Sequence, residues 1–211
     1  MVIKEARPHV DADASGRDLR DWLRAEARIL KALHGTGLTP ELLAVFEHGG
    51  NLFLARGGSR YPPCAPWVTE RFRDVGSERY RADALTQADL LVDLIASAHA
   101  HGCVLRDFTP ANIMVRPDGA VRLIDLELAV FGADDGDAVP TAVGTPGFSA
   151  PERLTDAPVS VTADYYSLGA TVCYVLVGKV PPPVARKACR KALRATARRL
   201  AGRARRCTRA A

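Results

Sequence analysis

Residues 112–125 read Asn112-Ile113-Met114-Val115-Arg116-Pro117-Asp118-Gly119-Ala120-Val121-Arg122-Leu123-Ile124-Asp125. Two short apolar runs rich in β-branched residues, 113–115 and 121–124, flank Pro117, Asp118 and Gly119. That pattern predicts a β-hairpin with a tight turn. With Asp118 and Gly119 as the two central turn residues, Asn112 falls opposite Asp125, and an amide and a carboxylate arrive side by side. A third oxygen donor, Asp107, lies five residues upstream of Asn112. Two carboxylates and an amide oxygen are hard ligands, suited to a magnesium ion shared with phosphates. Taken alone, the segment is equally well a structural hairpin with solvated acids at its ends, so the flanking residues decide.

Upstream of the hairpin runs Leu105-Arg106-Asp107-Phe108-Thr109-Pro110-Ala111-Asn112. It resembles the catalytic loop of protein kinases, in which the Asp accepts the proton of the acceptor hydroxyl and the Asn holds a metal. Asp125-Leu126-Glu127 falls where that family has its metal-binding Asp-Phe-Gly. Downstream, Gly144-Thr145-Pro146-Gly147-Phe148-Ser149-Ala150-Pro151-Glu152 resembles the close of a kinase activation segment. Asp164 then opens an apolar run to Val177 with few charges on any face, which predicts a helix buried all round. The resemblance gives Asp164 the task of hydrogen-bonding the backbone of the catalytic loop.

Nearer the N-terminus, Ser15-x-x-Asp18 predicts a helix start of capping-box type, with Asp in place of the usual Glu. The helix is expected to run to about Leu33, with Leu19, Leu23, Ile29, Leu30 and Leu33 on its apolar stripe. Glu26 sits on the same stripe. A carboxylate among apolar neighbours needs a partner unless it lies at the stripe's border. The kinase resemblance supplies one: Val2-Ile3-Lys4 looks like the strand that presents the phosphate-binding lysine, and in active kinases that lysine pairs with a helix glutamate.

At 211 residues the chain can bury one sizeable core or two small lobes. Apolar residues make up 47% and charged residues 25%, ordinary for a globular protein. No stretch reads as a membrane span or as a signal peptide, so a cytoplasmic protein is expected. The net charge of +5 hides an asymmetry. From Val184 onward there are 11 Lys and Arg and no acid, which leaves 18 basic against 24 acidic residues in the rest. A basic tail suits nucleic acid, acidic lipid or an acidic peptide. It holds no aromatic residue to stack on bases, so no specific nucleic-acid partner is expected.

The five cysteines show no Cys-x-x-Cys, and Cys103 and Cys173 read as small core hydrophobes. His99 and His101 diverge on a helix at i, i+2, so they are not read as a metal pair.

The overall match is to the kinase-like domain of class III and class IV lanthipeptide synthetases. It rests on Val2-Ile3-Lys4-Glu5-Ala6-Arg7-Pro8, on Arg106 to Asn112 and on Ile124-Asp125-Leu126-Glu127. It covers about residues 1–180. The resemblance implies an α+β, two-lobed protein-kinase-like fold. The N-lobe is expected to be incomplete, with the lysine strand, a helix and two further strands at 42–47 and 52–55. The C-lobe is expected to be mostly helical and truncated. Residues 1–55 are then a partial N-lobe, 56–66 a hinge-like linker, 67–183 the C-lobe and 184–211 a poorly ordered basic tail. Helix signals resume near Trp67, and a strong helix is expected from Leu85 to His101.

The implied activity is ATP- and magnesium-dependent phosphorylation of Ser or Thr in a precursor peptide. Asp107, Lys4 and Glu26 would be catalytic. Lys4, Asn112 and Asp125 would bind the nucleotide, and Asn112 and Asp125 the metal. Arg106, Glu152 and Asp164 would give structural support. In that family separate lyase and cyclase modules complete the modification, and neither is recognisable here.

The sequence departs from the wider kinase pattern at several positions. Leu105 stands for the usual His, Thr109 for a Lys, Glu127 for a Gly, and Arg56-Gly57-Gly58 is unlike a common hinge. The Gly-rich loop is not seen, and a truncated copy or a fragment of a larger enzyme is expected. A small-molecule phosphotransferase of aminoglycoside or choline type and a non-catalytic pseudokinase are the alternatives.

Overall fold

The computed structural model describes residues 1–10, 12, 18–58, 64, 68, 77–116, 120–131, 144–154 and 160–180. Expectations for Ser15, for the turn residues 117–119, for the helix signal near Trp67, for most of the linker and for the tail from 184 fall outside those residues.

Alternating and β-branched residues near the N-terminus build an antiparallel three-stranded sheet. Its strands are β1 (Val2–Ala6), β2 (Leu42–His48) and β3 (Asn51–Arg56), in the order β1-β3-β2. The turn from β2 to β3 is made by Gly49 (φ 58°) and Gly50 (φ 81°). Two consecutive positive φ angles suit the right-handed twist of a hairpin, and glycine takes them without strain. Leu52 and Leu54 of β3 turn inward and are buried. On the outer face Phe46 and Phe53 stack with ring centroids 5.2 Å apart.

Helix α1 (Leu19–Ala32) packs on this sheet. Its N-cap is Asp18, which accepts the Arg20 backbone N–H, while Asp21 accepts the Asp18 N–H. The capping box therefore lies at Asp18 and Asp21, three residues later than the motif starting at Ser15. Leu23, Ile29 and Leu30 form the buried stripe, and Glu26 lies on it with no exposed surface.

Helix α2 (Glu78–Ala100) begins earlier than Leu85, because Ser77 caps it by accepting the Tyr80 N–H at 3.0 Å. Leu91, Leu94, Ile95 and Ala98 are its core face. Short strands β4 (Cys103–Val104) and β7 (Val130–Phe131) pair, as do β5 (Ile113–Val115) and β6 (Val121–Leu123). The Leu123 N–H donates to Leu38 O at 2.9 Å, joining the second hairpin to the segment after α1. A 3-10 turn spans Pro151–Leu154.

Helix α3 (Val161–Val177) ends at Gly178, whose φ of 71° and N–H bond to Tyr174 O close it in a left-handed C-cap. It is not buried all round. Ala163, Asp164, Ser167, Ala170, Thr171, Cys173 and Val175 face inward, whereas Leu168, Val172 and Leu176 are half-buried and Tyr165 and Val177 exposed. Apolar composition without a polar stripe overstates burial here. Tyr80 ties α2 to α3 by donating to Val175 O at 2.6 Å.

Ile29, Leu54, Leu91, Ile95, Phe108, Ile113 and Leu123 belong to one buried cluster. Each side chain of this size contributes about 1.5–3 kcal/mol by leaving water. That cluster connects the sheet and α1 to α2 and the second hairpin, and so fixes the loops between them. Cys64, Cys103 and Cys173 are buried free thiols. Burial pushes Cys64 and Cys103 up to about 12, which fits inert packing residues. No helix among the described residues is long and apolar enough to cross a membrane.

Candidate active site

Two segments far apart in the chain converge on Lys4. From the middle of β1, its Nζ donates to Glu26 Oε2 of α1 at 2.8 Å. It also donates to Asp125 Oδ1 at 3.2 Å and to Glu127 Oε1 at 2.8 Å, both just past β6. The oxygens of Glu26, Asp125 and Glu127 lie within 4.8 Å of one another. Burial works against the Lys4 ammonium, but the three carboxylates outweigh it and hold its pKa above the ordinary lysine value. Burial, joined by repulsion from Asp125 and Glu127, pushes Glu26 up, while Lys4 pulls it down. Lys4 keeps its charge because three anions share one cation.

Glu26 Oε1 and Trp22 Nε1 are buried with no hydrogen-bond partner among the described residues. A cavity of about 270 Å³ opens against this cluster between β1, α1 and Asp125.

The second group centres on Asp107. Its Oδ1 accepts from Thr145 Oγ1 at 2.9 Å and its Oδ2 from Asn112 Nδ2 at 2.8 Å. Asn112 Nδ2 also donates to Asp107 O at 3.1 Å. Burial raises the Asp107 pKa, and the bonds from Thr145 and Asn112 and the charge of Arg153 restrain that rise.

The hairpin register differs from the sequence expectation. Ile113 pairs with Leu123 and Val115 with Val121, and the Arg116 N–H donates to Ala120 O at 2.8 Å. The connection between Arg116 and Ala120 is therefore three residues long, not two. Asn112 stands opposite Ile124, whose N–H donates to Asn112 O at 2.9 Å. One residue of slip sends the Asn112 amide to Asp107 and the Asp125 carboxylate to Lys4.

Asp164, with no exposed surface, supports the loop from beneath. Its Oδ2 accepts the Leu105 N–H and its Oδ1 the Arg106 N–H, both at 2.7 Å. Arg106 has a φ of 63°, a left-handed conformation that a side-chain-bearing residue takes only when its surroundings impose it. The Arg106 carbonyl accepts from Arg153 Nη1, and Thr171 Oγ1 of α3 donates to Phe108 O at 2.9 Å. Burial, with repulsion from Arg153, lowers Arg106 to about 10.

Several of these partners escaped the sequence reading. Glu152 lies exposed, and its neighbour Arg153 is the one buried against the loop. Glu127, a departure from the kinase pattern, is a direct partner of Lys4. His99, set aside as a metal ligand, points Nε2 at Asp164 Oδ2 over 2.8 Å.

Residues 14–204 match the family model of the protein kinase domain. The chain belongs to the protein kinase domain family. It is 35% identical to the probable SapB synthase of Streptomyces coelicolor over 80% of this chain and 18% of that protein. It is 27% identical to the probable cAMP-dependent protein kinase catalytic subunit of Encephalitozoon cuniculi, over 77% of this chain and 48% of the relative. With the serine/threonine-protein kinase C of Synechocystis it shares 28% identity over 85% of this chain and 34% of the relative. The chain thus spans less than half the length of each of these relatives. Its fold, mixed helix and strand with a three-stranded sheet near the N-terminus and the two longest helices after it, is that of the kinase family.

Proposed function

We propose that this domain transfers the γ-phosphoryl group of ATP to a Ser or Thr hydroxyl of a peptide. The observation that carries the reading is Lys4. Its ammonium joins a buried glutamate of α1 to the acid after the hairpin, beside a cavity.

In this mechanism Asp107 orients the acceptor hydroxyl and takes its proton as the bond to phosphorus forms. Its carboxylate already accepts one hydroxyl, that of Thr145, so an incoming alcohol meets a group of suitable geometry. Burial raises its proton affinity above that of a surface carboxylate and makes it a better base. Lys4, held by Glu26, engages the nucleotide phosphates once Asp125 and Glu127 release it.

The donor set fits magnesium: Asn112 and Asp125 would hold it, and the crowding of Glu26, Asp125 and Glu127 concentrates negative charge where a cation is favoured. When bound, magnesium supplies neutralisation of the phosphate charge. The remaining rate gain is positional and electrostatic, from groups whose places are set before substrate arrives.

The similarity to the probable SapB synthase supports a precursor peptide of lanthipeptide type as acceptor, with lyase and cyclase modules as partners. Residues 1–55 would act as the small lobe and 67–183 as the large one.

The experiment is transfer of label from γ-labelled ATP with magnesium to a Ser-containing peptide, beside aminoglycoside and choline acceptors. Labelled phospho-Ser supports the reading. Labelled sugar or choline hydroxyls would move the domain to the small-molecule class, and an absence of ATP binding would make it a non-catalytic kinase homologue.

A further inference from the structure

Arg56 is a buried cation that the phosphotransfer reading leaves without a task. It closes β3 and is 7% exposed. Its Nε is buried with no hydrogen-bond partner, and its guanidinium forms no ion pair among the described residues. A charged donor taken out of water is costly unless an acceptor meets it. The described residues supply none.

The sheet register places this guanidinium. Val2 pairs with Arg56, and Lys4 with Leu54. Residues directly opposite in an antiparallel pair share a face, as do residues two apart on one strand. Val2, Lys4, Leu54 and Arg56 therefore share the face from which Lys4 reaches Glu26 of α1. One diagonal step, about 8 Å between backbones, separates Arg56 from Lys4. The backbone that presents Arg56 is held from both sides. Val2 pairs with it on one edge and Leu42 on the other, and the Gly57 N–H donates to Glu41 O at 2.8 Å. At Gly58 a Cβ would fall 2.6 Å from the Met1 nitrogen, so the chain beyond Arg56 lies tight against β1.

The two cations keep different company. Lys4 is bound by Glu26, Asp125 and Glu127, and Arg56 by none of them. A nucleotide with its phosphates and magnesium at Lys4 and Asp125 has its charged end occupied there. What it can turn toward a second cation one step along the sheet is its nucleoside end. A guanidinium carries parallel N–H donors in one rigid plane. Guanine offers two acceptors side by side, O6 and N7, which take such a pair of donors. Adenine sets an amino group beside N7, so one donor would face another.

We propose that Arg56 reads the base of the phosphoryl donor, and that the site takes guanine nucleotides in preference to adenine nucleotides, with ATP the weaker donor of the same group. The proposal rests on the reading of Lys4 as the phosphate-binding cation.

Calorimetric titration of the full chain with magnesium tests it, with GTP, inosine triphosphate, ATP and inorganic tripolyphosphate as probes. The wild type is expected to bind GTP at least about tenfold more tightly than ATP. Inosine triphosphate keeps O6 and N7 and lacks only the 2-amino group, so it is expected to bind as GTP does. Arg56→Met keeps an unbranched side chain and removes the charge. It is expected to bring GTP and ATP to within about twofold of each other and to leave tripolyphosphate unchanged. The wild-type comparison needs no variant: ATP bound as tightly as GTP, or more tightly, overturns the proposal. An equal loss of GTP, ATP and tripolyphosphate in Arg56→Met also overturns it, because the guanidinium is then a phosphate contact. A wild type that binds none of the four probes overturns both the proposal and the nucleotide reading. If ATP is preferred and phospho-Ser still forms, the proposal fails and the phosphotransfer reading stands. If GTP is preferred through Arg56 and neither nucleotide yields phospho-Ser, the phosphotransfer reading fails and the base recognition stands.

Discussion

Lys4 and Asp125, 121 residues apart in the chain, are joined by a hydrogen bond of 3.2 Å from Nζ to Oδ1. The bond links the first strand to the segment after the second hairpin, and Glu127 doubles it at 2.8 Å. Glu26 completes the set from α1, so one ammonium serves three carboxylates drawn from two regions of the fold. Nucleotide phosphates would compete with Asp125 and Glu127 for the same ammonium. Both of those acids are partly exposed, whereas Glu26 is not, which makes Glu26 the permanent partner and the other two the exchangeable ones.

Removing that ammonium has a signed pH consequence. Lys4→Met leaves Glu26 buried beside Asp125 and Glu127 with nothing opposing their repulsion. The loss is expected to be about 2 kcal/mol near neutral pH, less than for a fully buried pair because Asp125 and Glu127 are partly solvated. Glu26 then titrates still higher in the folded state than in the unfolded one. A carboxylate raised on folding binds more protons when folded, so its contribution to stability improves as pH falls. Urea unfolding of variant and wild type should therefore show a gap that narrows from neutral pH to about pH 5. A gap that widens would contradict the charge assignment.

Thr145 and Asp107 yield a kinetic prediction. Burial raises the Asp107 pKa, and the Thr145 hydroxyl lowers it through its hydrogen bond. Thr145→Val deletes only the lowering contribution. The acidic limb of the kcat profile is expected to move to higher pH in the variant, because the base stays protonated longer. Profiles with Ser peptide as acceptor check this, and a limb moving to lower pH would contradict it.

Asp164→Asn exchanges a carboxylate that accepts two backbone N–H groups for an amide with one acceptor oxygen. One of the Leu105 and Arg106 N–H groups then faces an NH₂ group. The expected cost is about 2 kcal/mol, the range for losing a buried charged hydrogen bond. Thermal unfolding measures it, and an unchanged Tm would show that the loop holds without Asp164.

Tyr80→Phe removes the donor to Val175 O and leaves that buried carbonyl without its 2.6 Å bond. The ring keeps its packing, so the expected loss is about 1 kcal/mol. Denaturant unfolding with an unchanged m-value checks it.

Much of this arrangement was legible in the chain. Glu26 stood out as a carboxylate on an apolar stripe, and a buried acid demands a cation. The hairpin at 113–123 was readable from two β-branched runs around Pro, Asp and Gly. Its register was not, because a loop of three residues rather than two depends on backbone geometry, and that single residue decides which neighbours Asn112 and Asp125 meet. Helix α2 starts before its apolar pattern does, because the Ser77 cap lies N-terminal to that pattern. His99 follows Leu91 and Ile95 at helical spacing, and that placement on the core-facing stripe was the available signal for its burial. Arg153 carried no such signal. Nothing in a 3-10 turn after Ala150 distinguishes the residue that turns inward from Glu152, which turns out.

The most direct test is transfer of γ-labelled phosphate to a Ser-containing peptide, with magnesium, by the wild-type chain and by Asp107→Asn, an isosteric change that removes the base. The expected result is labelled phospho-Ser from the wild type and a loss of about a hundredfold or more in the variant, with Tm nearly unchanged. Equal labelling by both proteins, or none by a wild type that binds ATP, would contradict the account.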